Sequence, residues 1–401
     1  MPPSPRASAS AHLLLFVARR SLLSSRLTFV LLVLPIALGV GFQVPNTANL
    51  AGSAAMLLEE ALTHGAGDIR VEPRGRPRFP DGDAVAARLV ALTGARAATP
   101  ILVFAGAVGR GGRFHGAPVC GVDPGAPHLP YRVLEGAPLL PGDRDGVLVG
   151  TALARRLGLR PGDAVELRAI WSPPEAALAE EDLGRYTMTV RGIVAGSSGA
   201  ARFAYVDRGF LAAEAGEPRA ASAIFVHLAD HDAAAALAAH VSRSLPEVRA
   251  ADWRTDDPLL PNVLRAYGVV GGVSHAMVVG AISVPLWALL YIHVLRRRRE
   301  IGILVALGFR RGEVFAIFLL QALLVAGAGI AIGAGLGYAA CAYFDHSPIY
   351  SWEGMVVRPL LEPAAFAVPA LVALATVALA GGFAAWRAAR VDPARALGSL
   401  E

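Results

Sequence analysis

The chain has 401 residues, of which 54% are hydrophobic and only 17% are charged. Because soluble proteins carry about 25% charged residues, most of this chain cannot be a water-exposed globule. All 37 basic residues are arginine, so the chain has no lysine for a P-loop or a Schiff base, and we expect it not to hydrolyse ATP by itself. The arginines behind the net charge of +5 flank apolar runs, which favours membrane orientation over nucleic-acid binding.

Four apolar runs are each long enough to span a bilayer, which takes roughly 20 residues. Ahead of them, residues 1–26 combine apolar residues with arginines, which predicts a cytoplasmic N-terminal helix in the membrane interface. The first run is longer than the apolar core of a cleaved signal peptide, so we predict an uncleaved anchor. The predicted spans are 27–44, 267–295, 314–343 and 364–386.

Arginine placement predicts the topology of these spans. The N-terminus, the loop 296–313 and the tail 387–401 are rich in arginine, whereas the loop 344–361 has one arginine and two acids. Since positive loops remain in the cytoplasm, both termini are predicted to be cytoplasmic and residues 45–262 to lie outside. The expected fold is an α-helical membrane protein with four transmembrane helices and a mixed α+β extracytoplasmic domain inserted between the first two.

The outer stretch has the pattern strand–helix–strand near both ends, which predicts one βαβ-type subdomain built from both ends. The first unit is predicted at Asp68–Glu72, Gly82–Leu92 and Thr99–Ala105, and the second at Ala223–Leu228, Asp232–Ser244 and Val248–Trp253. Residues of about 106–217 are predicted to form a β-rich insert. Its strands are expected at Pro118–Val122, Gly146–Val149, Ala164–Ala169, Thr187–Val194 and Phe203–Val206. The alanine-rich residues 46–62 are predicted to extend the first span outward as a stalk.

Small residues recur every four positions in two of the spans, which lets helix backbones approach closely. The glycines concerned are Gly268, Gly272 and Gly280 in the second span and Gly329, Gly333 and Gly337 in the third. They predict helix packing, either within the chain or between chains. A coding bias toward glycine and alanine is the alternative explanation.

The loop between the second and third spans carries the most informative segment. Its residues are Arg299, Glu300, Ile301, Gly302, Ile303, Leu304, Leu307 and Gly308. The aliphatic residues form a stripe at helical spacing, and Gly308 is suited to end a short helix. We predict a helix that docks on a cytoplasmic partner, with an ordinary positively charged loop as the alternative.

The loop segment and several other motifs of this chain resemble those of a known protein family. The segment 299–308 resembles the conserved loop of FtsX-like ABC-transporter permeases, the MacB and LolC/LolE group, although Val305 stands where the family often has arginine. The tail 388–397 and the turn 121–124 are also similar to family motifs, and 146–165 looks most like the lipoprotein-releasing members. The resemblance covers nearly the whole chain in order.

The resemblance implies a non-catalytic permease of the bacterial inner membrane with a MacB-like periplasmic core domain. Its implied partners are a cytoplasmic ABC ATPase dimer that binds ATP and Mg, a second permease in a homodimer or heterodimer, a periplasmic carrier or channel, and membrane lipid. No cofactor is expected on this chain. The implied task is lipoprotein release or export of an amphipathic substrate. The alternative is FtsX-like mechanotransmission to a periplasmic cell-wall hydrolase.

Residues 171–186 form a long connection for a hairpin, which needs only about two to five residues. Trp171 offers apolar surface, and Pro173 and Pro174 stiffen the segment. The resemblance implies that this loop recruits a periplasmic partner, with an exposed loop of no such role as the alternative.

His227 and His231 have i,i+4 spacing, but their place at a strand–helix junction predicts capping and no metal site. His275 is an ionisable residue inside a span, which makes it a functional candidate.

Overall fold

The computed structural model describes residue 16 and residues 26–171, 183–196, 199–257, 259–296, 309–348, 350–352 and 355–389. The chain divides into two compact units. The membrane unit comprises Met1–Ser53, Ala266–Tyr350 and Val357–Glu401, and the outer unit comprises Ala54–Arg265 and Ser351–Val356.

The outer unit contains most of the strands together with short helices, whereas long helices make up the membrane unit. The helices are α1 Arg26–Thr63, α2 Gly82–Thr93, α3 Thr151–Leu157, α4 Arg208–Glu214, α5 Ala234–Ser244, α6 Trp253–Asp256, α7 Leu259–Arg296, α8 Arg311–His346 and α9 Pro363–Ala389. The strands are β1 Ile69–Pro73, β2 Ala97–Arg110, β3 Arg113–Gly116, β4 Val119–Val122, β5 Arg132–Gly136, β6 Gly146–Gly150, β7 Ala164–Ile170, β8 Leu183–Ala195, β9 Ala204–Asp207, β10 Ala223–His227, β11 Val248–Asp252, β12 Ser351–Trp352 and β13 Met355–Val356.

Within the described residues, four helices, α1, α7, α8 and α9, are long and apolar enough to cross a membrane. Helix α1 is one unbroken helix of 38 residues although it contains Pro35 and Pro45, which membrane helices tolerate. Its apolar residues recur every four positions and pack against α8 in the core of this unit. That core includes Leu32, Ile36, Val40 and Val44 of α1 and Val314, Phe318 and Val325 of α8.

The two ends of the outer unit together form a four-stranded antiparallel sheet in the order β11-β1-β10-β2. The strands of each strand–helix–strand unit are therefore not neighbours, because β10 lies between β1 and β2, and β1 lies between β10 and β11. This is the split βαβ arrangement. Apolar residues of α2 and α5 cover one face of the sheet and form a core with it. Helix α2 is capped at its start by Asp81 and at its end by Gly94, which has a φ of 65°.

The middle of the outer unit is a closed ring of strands. The pairings run from β2 to β4, β9, β6, β8 and β7, and β7 pairs again with β2. Alternate side chains point into the ring and form its core, which includes Leu102, Phe104, Val149, Leu167 and Val190. The insert boundary predicted near Gly106 falls inside β2, because β2 continues to Arg110 and pairs with β7 from Ala105 to Gly109.

Candidate functional site

The predicted docking segment, Arg299 to Gly308, lies outside the residues that the structure describes, but both of its flanks are described. Helix α7 ends at Arg296 and α8 begins at Arg311. The backbone N–H of Arg310 donates to Oε2 of Glu313 over 2.8 Å, so an acid in the first turn of α8 stabilises the start of that helix. Phe309 packs against the core of the membrane unit.

The three glycines predicted in the third span lie on α8 and face α1. A Cβ added at Gly329 would come within 2.7 Å of the Cβ of Ile36, and one at Gly333 within 2.6 Å of the carbonyl oxygen of Ala37. A Cβ at Gly337 would meet the Cβ of Val44 at 2.7 Å. These distances are too short for any side chain, so α1 and α8 form a glycine seam within the chain.

The three glycines predicted in the second span lie on α7 and behave differently. A Cβ added at Gly268, Gly272 or Gly280 would meet no described atom within 4 Å. Large apolar residues on the same helix, such as Val273 and Met277, are 50% and 70% exposed. This glycine face of α7 is therefore uncovered by the part of the chain that the structure describes.

A small and mostly apolar cavity lies between α1, α7 and α9. It has a volume of about 30 Å³ and is lined by Gln43, His275 and Thr376 together with apolar residues, which is large enough for a water molecule. Gln43 is only 3% exposed, and neither of its amide atoms has a hydrogen-bond partner among the described residues, nor does Nε2 of His275. The Nδ1 atom of His275 lies 3.1 Å from the carbonyl oxygen of Gly271. This is the membrane environment of the predicted candidate His275.

The outer unit contains a cleft with a volume of about 520 Å³. Ile101, Val103 and Ala105 follow one face of β2 at every second position and form one wall. Further apolar lining comes from Ile170 of β7, Phe203 beside β9, and Ala223 and Phe225 of β10. The charged lining residues are Arg70, Glu72, Arg76 and Arg78.

The four charged residues of the cleft differ in their partners. Arg70 pairs with Glu72 at 2.7 Å and with Asp256 at 3.6 Å. Arg78 pairs with Glu217, and its guanidinium lies 4.5 Å from the ring centroid of Phe104. Arg76 is exposed, and among the described residues its side chain has no ion pair or hydrogen bond. The cleft thus combines an apolar wall with one arginine that is free to bind an anion.

The sequence signal for this cleft was the apolar segment predicted as a strand at Thr99–Ala105, which did not indicate that one face of the strand would line a cavity. Arg76 lies in a turn rich in arginine and proline and carried no distinguishing pattern.

Trp171 is only partly exposed, so part of the apolar surface that the sequence predicted is covered within the outer unit. Its ring packs edge-on against Phe104 with centroids 4.8 Å apart and lies 6.4 Å from Tyr186, so it adds to the core of the strand ring. The loop is also shorter than predicted, because β8 begins at Leu183 and pairs there with Ile170. Pro173 and Pro174 lie outside the described residues.

The outer end of α1 is held by polar contacts that sequence reasoning missed. Glu60 is 10% exposed and forms an ion pair with Arg132 of β5 at 3.0 Å. Nδ1 of His64 lies 3.3 Å from the carbonyl oxygen of Leu129. The signal available was a single pair of acids, Glu59 and Glu60, in an otherwise alanine-rich stretch.

His227 and His231 each contact side chains from other parts of the outer unit. The ring of His227 stacks on His128 with centroids 4.2 Å apart, and burial together with this neighbour lowers the pKa of His227 to about 4. Nδ1 of His231 lies 2.6 Å from Asp68, whose other oxygen accepts the backbone N–H of Leu228. Among the described residues, no group of three metal-type side chains is close enough to hold an ion.

Comparison with known proteins matches both units. Residues 29–244, more than half of the chain, match the MacB-like periplasmic core domain, and residues 273–393 match the FtsX-like permease C-terminal domain. The chain therefore belongs to the MacB-type, FtsX-like permeases of ABC transporters, as the resemblance predicted. Members of this family are membrane permeases with a periplasmic domain, and they work with ABC ATPases.

Individual relatives match part of the chain. The macrolide export ATP-binding/permease protein MacB of Escherichia coli is 32% identical over 123 residues, which cover 29% of this chain and 17% of the relative. MacB of Brucella abortus is 36% identical over 156 residues, 39% of this chain and 21% of the relative. The probable syringafactin export protein SyfD of Pseudomonas syringae is 37% identical over 122 residues, 30% of this chain and 17% of the relative. The chain therefore spans about a fifth of these relatives.

Proposed function

We propose that this chain is the non-catalytic permease subunit of an ABC transporter, and that it passes ATP-driven motion of a separate ATPase to its extracytoplasmic domain. The proposed task is lipoprotein release or export of an amphipathic substrate. ATP and Mg bind the partner ATPase, and a second permease, identical or related, completes the transporter. Two relatives of this chain are named for export of a macrolide and one for export of syringafactin, each by a protein that contains both ATP-binding and permease parts.

One observation carries the proposal. Helix α1 is continuous from Arg26 to Thr63, and it contributes residues to both compact units. In the membrane unit it is locked to α8 by the glycine seam, and α8 begins directly after the predicted docking segment. In the outer unit the same helix is tied to β5 through Glu60 and Arg132. The seam with α8 and the continuity of α1 support the proposal that a force applied at the docking segment passes through α8 to α1.

The proposed topology places both termini and the loop 296–313 in the cytoplasm and the outer unit in the periplasm. Single cysteines provide the test, because the two native cysteines, Cys120 and Cys341, are buried. A membrane-impermeant maleimide should label Gly142→Cys in cells with a permeabilised outer membrane and should not label Gly312→Cys. Labelling of Gly312→Cys would contradict the orientation.

The coupling role is tested by co-purification of the ATPase with the permease. Glu300→Arg should lower the yield of the bound ATPase while the permease remains inserted, because the reversed charge removes the carboxylate offered to the partner. Glu362→Arg, a matched change directly after the loop 344–361 that is proposed to lie outside, should leave the yield unchanged. Equal yields for both variants would contradict docking at Glu300.

Mechanotransmission to a cell-wall hydrolase is the alternative function. The ligand-sized cleft in the outer unit favours transport, since a protein that only passes on a movement needs no such cavity. Cells without the permease separate the two functions: altered cell separation with normal export would indicate mechanotransmission.

A further inference from the structure

We propose that the cleft of the outer unit binds an amphiphile with one aliphatic chain and one anionic head, the chain against Ile101, Val103 and Ala105 of β2 and the head at Arg76. That the bound amphiphile is a substrate of the transporter rests on the proposed function. Its binding to the cleft requires neither ATP nor the ATPase.

The wall of the cleft argues for an aliphatic chain. Three apolar side chains follow a single line along β2, and Phe225 and Ile170 flank that line from the neighbouring strands. Ala105 is exposed and Val103 is partly exposed, whereas Ile101 is 1% exposed and lies beneath the surface of the wall. Exposed apolar surface in a concave site marks a place where an apolar ligand is favoured. A single line of side chains fits one chain better than two.

The charges argue for an anionic head. The lining residues comprise three arginines and one acid. Arg70 pairs with Glu72 and Asp256, and Arg78 pairs with Glu217, so Arg76 is the lining arginine whose guanidinium has no ion pair among the described residues. A guanidinium binds carboxylates and phosphates through two parallel hydrogen bonds, which suits a carboxylate or phosphate head.

The size argues for a small molecule. A volume of about 520 Å³ lies within the range of about 300–1,000 Å³ that is usual for ligand pockets. The volume of the cleft is therefore suited to a single amphiphile rather than to a folded protein.

Photocrosslinking of the full-length protein tests the proposal. The protein is placed in nanodiscs of phosphatidylcholine, and the probe is a long-chain fatty acid with a diazirine on its chain. The alcohol of the same chain serves as the uncharged probe. We expect the acid to label peptides that contain Ile101–Ala105 or Ala223–Phe225, as identified by mass spectrometry, and the alcohol to label them about fivefold less, because one charged contact is lost.

Arg76→Glu should lower labelling of the cleft by the acid at least about fivefold. Arg76 is exposed and unpaired among the described residues, so its replacement leaves the fold intact. The matched control is Arg144→Glu, a second exposed arginine in a turn, which should label as the wild type does. Equal labelling by acid and alcohol, full labelling of Arg76→Glu, or adducts confined to the membrane helices would each overturn the proposal.

Two arms of the experiment separate the sources of the amphiphile. In one, the probe is built into the nanodisc at assembly, and in the other it is added to the surrounding solution. Labelling of the cleft in either arm supports the proposal, and absence of labelling in both contradicts it. Because no ATPase is present, failure here leaves the coupling role untouched, and loss of ATPase binding in Glu300→Arg leaves the cleft untouched.

Discussion

The glycine faces of α7 and α8 have the same four-residue spacing but differ in what covers them. On α8 the glycines meet backbone and Cβ atoms of α1 at less than 3 Å from an added Cβ, whereas on α7 the corresponding positions meet nothing within 4 Å among the described residues. Small-residue spacing therefore shows that a close approach is sterically allowed. Which helix is approached depends on the rest of the fold.

The largest expected effect is that of Gly333→Leu, which tests whether the glycines of α8 pack on α1. The added side chain would collide with the carbonyl oxygen of Ala37 and the Cβ of Val40, so we expect a loss of more than about 3 kcal/mol of stability. Gly335→Leu on the same helix has open space around it and is the matched control. The measurement is the amount of monodisperse protein that survives heating; similar survival of both variants would disprove the seam.

A second test uses pH, because the α1–α8 seam has no titratable group and the outer unit has His227. Its pKa falls from the ordinary 6.5 to about 4 in the folded protein. Between these pH values the unfolded chain binds the proton more readily, so stability is greatest above pH 6.5 and falls as the pH drops toward 4. The full effect is about 3 kcal/mol.

The measurement for this pH dependence is hydrogen exchange of the outer unit at pH 7 and at pH 4.5, interpreted as opening free energies. His227→Gln should show a smaller loss of stability on acidification than the wild type. An identical loss in both proteins would assign the pH dependence to other groups.

The third test loosens the outer end of α1 while leaving the seam intact. Arg132→Ala removes the partner of Glu60, a carboxylate that is 10% exposed in its side chain, and should cost roughly 1–2 kcal/mol. The control is Arg113→Ala, at an exposed hairpin position. Protease cleavage between residues 63 and 69 should become faster only in Arg132→Ala; equal rates would mean that the ion pair does not hold the helix.

The smallest expected effect concerns the uncovered glycine face of α7. Gly272→Leu should change the stability of the single chain by less than about 0.5 kcal/mol, since it meets no described atom. If this face packs on the proposed second permease, the variant should still lose its dimer in native mass spectrometry. A stability loss as large as that of Gly333→Leu would show that the face is covered within the chain.

Local patterns predicted many elements closely. The strand predicted at Ala164–Ala169 is Ala164–Ile170, and the helix predicted at Gly82–Leu92 is Gly82–Thr93. The patterns failed where glycine interrupts a strand. Strand β2 was predicted to end at Ala105, but it continues through Gly106, where an added Cβ would lie 2.2 Å from the carbonyl oxygen of Arg168. Only glycine fits this close pairing, and the sequence alone does not distinguish it from a turn.

The arrangement of the elements was beyond local patterns. The interleaving of β1, β10, β2 and β11 depends on pairings between residues more than a hundred positions apart. The ring closes through pairings of β2 with β7, between residues about 60 positions apart. The same limit applies to the site residues. Trp171 was predicted to offer apolar surface, but its ring packs against Phe104, which belongs to another strand.

Strand β2 passes from the four-stranded sheet into the ring, and the chain leaves the ring close to where it entered. The backbone N–H of Val103 donates to Oγ of Ser222 over 3.0 Å, and β2 pairs with β10 only through Ala97–Ile101. Adjacent entry and exit points are what an inserted segment requires. The ring therefore has the layout of an inserted segment. Evolution or protein engineering can replace it without changing the strand pairings of the four-stranded sheet.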